Sequence, residues 1–172
     1  NVFNQTSALT GGSPVLKKVR EEAMAFFAKQ GFPEPRQENW KYTNLNRLSQ
    51  HYFLPFTPSQ LTKTEIMPFL DQAANEYQAV FINGYFSPEF SNLAMLPESV
   101  LFMDVLTLLK NDHKKAYTYF SSAVDYGHNA ALALNLALVT NGAVIDVGKD
   151  THLEKPLHLI FITDNTAQEK GM

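Results

Sequence analysis

The sequence predicts an α+β fold, and three observations carry that prediction. Apolar residues between positions 14 and 30 recur every three or four residues, the period of an amphipathic helix. From Ala143 the period drops to two, the period of a strand. Between these segments, Tyr77–Ile82 is β-prone and runs into Asn83-Gly84, a dipeptide suited to tight turns.

A chain of 172 residues, 45% apolar and 18% charged, has a globular composition and can bury one good core, or one domain with part of another. A net charge of -3 gives no electrostatic footprint for nucleic acid or an anionic membrane. No stretch reaches the roughly 18 uninterrupted apolar residues of a membrane span, and the longest run, near Ala130–Val139, is broken by Asn135. There is no cysteine, which excludes disulfides, thiol catalysis and thiolate zinc sites. No basic segment leads into an apolar leader core, so a cytoplasmic location is the expectation.

Taken in order, residues 1–12 are small and polar and read as a flexible lead-in. Ser13 suits a helix N-cap and Pro14 the first helical position. Leu16, Val19, Ala23, Phe26 and Phe27 make the apolar stripe, with Lys17, Lys18, Arg20, Glu21 and Glu22 assigned to the other faces and Gly31 closing the helix. Residues 32–59 form a connector punctuated by Pro33, Pro35, Pro55 and Pro58. Thr62-x-x-Glu65 resembles a capping box and opens a short helix to about Ala74, with Pro68 disturbing its first turns. Tyr77–Ile82 is a strand, Asn83-Gly84 a turn, and Ser99–Met103 the expected partner strand.

Asp104 caps a predicted helix to about Asn111, and another spans Lys114–Ser122. Asn129 to Val139 is a strongly apolar helix ended by Asn141-Gly142. Ala143, Ile145 and Val147 then alternate with Val144, Asp146 and Gly148. Pro156–Thr163 is a second strand, apolar on both faces apart from His158, so both faces require cover. Only the polar tail Asp164–Met172 follows. The expectation is that the cover comes from a segment beyond this chain or from a partner chain, and that the fragment can self-associate through strand edges.

Few residues have the types and spacing of a reactive site. Ser121, Asp125 and His128 have the residue types of a hydrolase triad, but no Gly-x-Ser-x-Gly elbow accompanies them. The alternative is a polar interhelical loop in which Asn129 caps the next helix. His152 and His158 lie about 20 Å apart if the chain between them is extended, too far to share a metal. His158 on an apolar strand reads as a hydrogen-bonded core histidine. Gly11-Gly12-Ser13 lacks the Gly-Lys-Ser/Thr ending of a phosphate loop.

The most distinctive run is Arg36-Gln37-Glu38-Asn39-Trp40-Lys41-Tyr42-Thr43-Asn44-Leu45, which holds the only tryptophan. Trp40 and Tyr42 suit burial with their N–H and O–H groups hydrogen-bonded, Lys41 suits solvent, and Glu38 can accept from turn amides. These residues then anchor an irregular connector. The alternatives left open are a direct docking surface, which makes the chain a generic protein-interaction domain, and the stand-alone small hydrolase.

The pattern Arg36-x-Glu38-x-Trp40-Lys41-Tyr42-Thr43-x-Leu45 resembles the N-terminal motif of the SufB/SufD family of the SUF iron–sulfur cluster assembly system. Three further motifs follow in the family's order. Val80–Glu89 is similar to a strand ending in Asn-Gly-x-Phe-Ser. Leu134–Ile145 is similar to the helix-to-strand passage Leu-Asn-x-Ala-x-x-x-x-Gly-x-x-Ile, and Leu153-Glu154-Lys155-Pro156-Leu157 to the Leu-Glu-x-Pro-Ile/Leu before the first coils. The Trp-Lys-Tyr-Thr form resembles the SufD branch rather than the SufB branch.

The resemblance implies an N-terminal helical region, a right-handed parallel β-helix and a C-terminal helical region. It divides this chain into a lead-in over 1–12, a mainly helical α/β domain over 13–142 and the truncated start of the β-helix over 143–172. It implies assembly with SufB and the ABC-type ATPase SufC, and no catalysis by this chain itself. The family positions linked to ATPase docking and cluster building lie beyond the sequence in hand. No cofactor is expected here, since iron–sulfur clusters are held mainly by cysteine thiolates and this chain has none. Arg36, Glu38, Trp40, Lys41, Tyr42 and Thr43 are the motif residues expected to be structural or partner-facing.

Overall fold

The computed structural model describes residues 2–9, 14–45, 48–51, 58–59, 61–70, 75–122 and 129–164. The chain divides into two compact units, Asn1–Pro55 with Leu106–Thr140, and Phe56–Val105 with Asn141–Met172. The first is helical and the second holds the sheets, so the α+β expectation is met at that level.

Helix α1 (Val2–Leu9) lies within the expected lead-in, which is therefore corrected to a helix over those residues. Its reason is tertiary and not visible in its own composition: Phe3 packs against the helical core and Thr6 is buried. Helix α2 (Pro14–Gln30) begins at the expected proline and ends where Gly31, at φ +71°, donates its N–H to the Phe27 carbonyl at 2.7 Å. Glycine carries that backbone without steric cost. α2 packs on α6 (Ala130–Leu138), with Val19 and Ala23 against Leu136 and Ala137. Asn129 caps α6 by accepting the Leu132 N–H at 3.1 Å, as expected. Helix α5 (His113–Ser122) is capped by Asp112, whose Oδ1 accepts from the Lys115 N–H at 2.9 Å.

Arg20 corrects the helical wheel. The sequence reading placed it on a solvent face, yet it is 1% exposed. Its position, four residues after Leu16 and three before Ala23, falls inside the apolar stripe. Its Nε donates to the Ala137 carbonyl at 2.6 Å, its Nη2 to Thr6 Oγ1, and its guanidinium lies 5.3 Å from the centre of the Phe3 ring. One side chain thus ties α1, α2 and α6.

In the second unit, helix α3 (Lys63–Leu70) opens at Thr62. Glu65 Oε2 accepts from the Thr62 N–H at 2.8 Å and its hydroxyl at 2.6 Å, so the carboxylate arm of the expected capping box forms. Pro68 sits inside this helix. The stretch toward Ala74 lies outside the described residues. Strand β1 (Tyr77–Ile82) turns through Asn83 (φ 51°) and Gly84 (φ 83°) into β2 (Tyr85–Phe86). Two consecutive positive φ values are those of a type I′ hairpin turn, the type that Asn-Gly favours.

β3 (Val100–Asp104) is not the partner of β1. It pairs antiparallel with β4 (Ala143–Val147), and helix α4 (Val105–Asn111) follows it directly. β1 pairs antiparallel with β2 and parallel with β5 (Leu157–Ile162), giving the order β2-β1-β5. A parallel partner 80 residues away in register, Tyr77↔Leu157, leaves no local sequence signal. The face of this sheet carrying Val80, Ile82, Ile160 and Ile162 packs on Ile66 and Leu70 of α3. The other face carries an aromatic row: Phe161 stacks on Phe81 at 5.2 Å, Phe81 meets Phe86 at 5.5 Å, and Phe86 meets Phe102 at 5.2 Å.

The cover expected on both faces of β5 is present on one. Phe161 is 67% exposed and Leu159 is also exposed, as are Ile145 and Val147 on β4.

Candidate functional site

The motif residues lie where α2 gives way to the connector. Phe27 and Phe32 meet edge to face, with centroids 5.1 Å apart, and Pro33 is buried, which fixes the chain as it leaves the helix. From there the backbone advances by short turns. Gln37 N–H donates to the Glu34 carbonyl at 2.9 Å, Trp40 N–H to Gln37 at 2.8 Å, Lys41 N–H to Glu38 at 3.4 Å, and Thr43 N–H to Trp40 at 2.9 Å. Glu38–Trp40 is a single 3-10 turn with no buried residue.

The side chains on this frame point mainly outward. Trp40 is half-buried, whereas Arg36, Glu38, Lys41, Tyr42 and Thr43 are exposed. Tyr42, expected to be buried, is 91% exposed. Lys41 is solvent-directed, with its ammonium 5.4 Å from the centre of the Tyr42 ring. The turn amides are satisfied by backbone carbonyls and not by the Glu38 carboxylate. Arg36 pairs with Glu34 at 2.5 Å, both exposed. Two cations and two anions, Arg36 and Lys41 with Glu34 and Glu38, leave the segment electrically balanced.

This arrangement pairs no nucleophile with a base. It can present an aromatic ring, an indole edge and balanced charges from an ordered backbone. Of the hydrolase constellation, Asp125 and His128 lie outside the described residues, and Ser121 falls in the last turn of α5.

His51, His152 and His158 do not cluster. His158 Nε2 contacts the Glu76 carboxylate, and both side chains are more than a third exposed, so His158 is hydrogen-bonded but not a core residue. Beside it, Lys155 Nζ donates to the Asn75 carbonyl at 2.8 Å. His51 and His152 are exposed. Among the described residues, no three His, Asp or Glu side chains converge to hold a metal.

A second polar cluster was not foreseen. Asp164, 5% exposed, accepts from the Ser59 hydroxyl at 2.5 Å, and its N–H donates to Asn83 Oδ1 at 2.8 Å. Asn83 N–H donates in turn to the Ile162 carbonyl at 2.9 Å. The hairpin turn and the end of β5 are thereby joined. Asn83 was legible as a turn residue, but its long-range partner was not.

Against known families, residues 2–159 match the family described as the SufBD protein N-terminal region. The chain is 29% identical over 149 residues to an iron–sulfur cluster assembly SufBD family protein of Synechocystis sp., covering 87% of this chain and 33% of that protein. It is 23% identical over 156 residues to the iron–sulfur cluster assembly protein SufD of Bacillus subtilis, covering 87% of this chain and 35% of that protein. The chain therefore spans about a third of the length of these curated relatives. No described helix is long and apolar enough to cross a membrane.

Proposed function

Because the chain belongs to the SufB/SufD family through its N-terminal region, we propose that it is the N-terminal part of an iron–sulfur cluster assembly scaffold component of the SufD type. The full-length protein acts in the cytoplasm with homologues of SufB and of the ATPase SufC. The carrying observation is the family match over residues 2–159, with relatives whose names place them in cluster assembly.

The chain contributes architecture and no catalysis. It holds no cofactor of its own, and a sequence without cysteine offers no thiolate to a cluster. Clusters are handled by the assembled complex. β5 (Leu157–Ile162) is the first strand of a right-handed parallel β-helix, whereas β4 belongs to the antiparallel pair with β3. Two observations support that. The parallel pairing of β1 with β5 is the pairing mode of such a fold, and the apolar side chains Leu159 and Phe161 stand uncovered on the outer strand.

Complementation tests the proposal. A strain of Bacillus subtilis lacking its SufD, supplied with the full-length gene of this protein, should regain the activity of its iron–sulfur enzymes. Expression at normal levels with no recovery would overturn the assignment to the SufD branch.

A further inference from the structure

Two asparagines of this chain precede a glycine, in Asn83-Gly84 and Asn141-Gly142. In such a pair the glycine nitrogen can close on the asparagine carboxamide, because glycine brings no side chain into its path and its backbone turns freely. The structure treats the two pairs differently. Asn83 is 8% exposed, its Oδ1 accepts from the Asp164 N–H at 2.8 Å, and its own N–H donates to the Ile162 carbonyl at 2.9 Å. Its carboxamide is engaged by the end of β5, and its backbone is fixed in the type I′ turn. Asn141 is half-buried and lies between α6 and β4, in neither a helix nor a strand. Its Oδ1 accepts from the Gly142 N–H at 2.9 Å, so the carboxamide is folded back onto the nitrogen able to attack it.

We propose that Asn141 is a self-modification site, converted through a cyclic imide to aspartate and isoaspartate, and that Asn83 is shielded from the same reaction. The Gly142 nitrogen bonds to Cγ of Asn141 as the Cγ–Nδ2 bond breaks. The Gly142 amide proton leaves with Nδ2 as ammonia. Water then opens the imide ring. Cleavage of the bond to Cγ yields aspartate, and cleavage of the bond to the backbone carbonyl carbon yields isoaspartate, in which the main chain runs through Cγ. The balance needs only water. Holding the two groups in contact favours the first step, which is otherwise slow. The product falls at a structural seam of the second unit. The Gly142 carbonyl accepts from the Val105 N–H at 3.0 Å, and β4 begins at the next residue with Ala143 opposite Asp104. Either product adds a negative charge just before that pairing, and isoaspartate also lengthens the main chain there.

The inference does not rest on the cluster-assembly role. Ageing of the full-length protein at mildly alkaline pH, followed by peptide mapping with mass spectrometry, tests it. The readout at each asparagine is the mass gained when an amide becomes an acid, with isoaspartate scored by labelling with an isoaspartyl methyltransferase. In the native protein Asn141 should convert at least several-fold faster than Asn83, and in the denatured protein the two should convert at similar rates. Native Asn141 that stays unchanged, or native Asn83 that keeps pace with it, overturns the proposal. Gly142→Ala tests the route. A Cβ there would meet Val105 Cγ2 at 3.6 Å, an ordinary contact, so the variant is sterically tolerated. It should slow conversion of Asn141 several-fold and leave the Asn83 rate unchanged. Undiminished conversion of Asn141 in that variant overturns attack by the Gly142 nitrogen. The comparison of native with denatured wild type decides the matter without the variant.

Discussion

Arg20 carries more of the helical unit than any charged residue whose role the sequence suggested. Desolvation lowers its pKa from the ordinary guanidinium value, yet a guanidinium stays charged at neutral pH. It is held by the Ala137 carbonyl, Thr6 Oγ1 and the Phe3 ring together. Arg20→Ala leaves that carbonyl and hydroxyl short of a donor and opens a void, so the expected loss is roughly 2–4 kcal/mol. Arg20→Lys, with one ammonium in place of a fork, should recover only part of it. Urea unfolding of both variants measures this, and an Arg20→Ala loss below about 0.5 kcal/mol, the range of an ordinary surface change, would contradict the burial. Glu65 gives a pH prediction. The Thr62 hydroxyl and then the Thr62 amide hold its carboxyl below the usual range, against smaller opposing effects of burial and of nearby Asp164. A carboxyl depressed in the folded state adds stability that is present above its unfolded value, about 4.3, and is lost as pH falls through the folded value. The difference in melting temperature between wild type and Glu65→Ala should therefore be full at neutral pH and narrow below about pH 4. A gap that widens with acid would refute this.

At the scale of elements, local signals were readable and pairings were not. Pro14, Gly31, Thr62-x-x-Glu65, Asn83-Gly84 and Asn129 each act within four residues of themselves, and each marks an observed boundary, cap or turn. The partner of β1 could not be read this way. Ser99–Met103 is near in sequence, but β3 pairs with β4, and the parallel strand β5 arrives after every described α-helix. α1 escaped notice because its docking depends on Arg20, itself misassigned on the helical wheel. The candidate motif was found by its composition, while the exposure of Tyr42 depends on which side of the connector faces the helical unit, which no local pattern encodes. The hairpin supplies a test at this scale. Gly84 sits at φ +83° with open space where a Cβ would lie, so Gly84→Ala meets a backbone penalty and no clash. The expected cost is roughly 1–2 kcal/mol, and Gly84→Val should be no milder. A thermal melt of the Ala variant matching wild type would exclude the type I′ geometry.

For the whole molecule, the second unit presents an uncovered strand at the edge of its sheet. β5 is the outer strand of its three-stranded sheet among the described residues, and Phe161 ends an aromatic row in solvent. An uncovered apolar strand at an edge is a site for further pairing, and the relatives have two thirds of their length beyond the matched region. The proposed continuation as a β-helix predicts that Phe161 is covered in the full-length protein. Phe161→Asp should then destabilise the full-length protein by more than about 2 kcal/mol, whereas cover by nothing would leave its stability unchanged. On the same proposal, the 172-residue chain by itself should leave the ATPase rate of a SufC homologue unaltered, and measurable stimulation would place a docking element within this chain. The most direct test of the central claim is co-purification. The full-length protein, co-expressed with SufB and SufC homologues and isolated through a tag on SufC, should elute with both as one species on gel filtration. Elution of SufB with SufC while this protein runs alone would contradict its assignment as a SufD-type scaffold component.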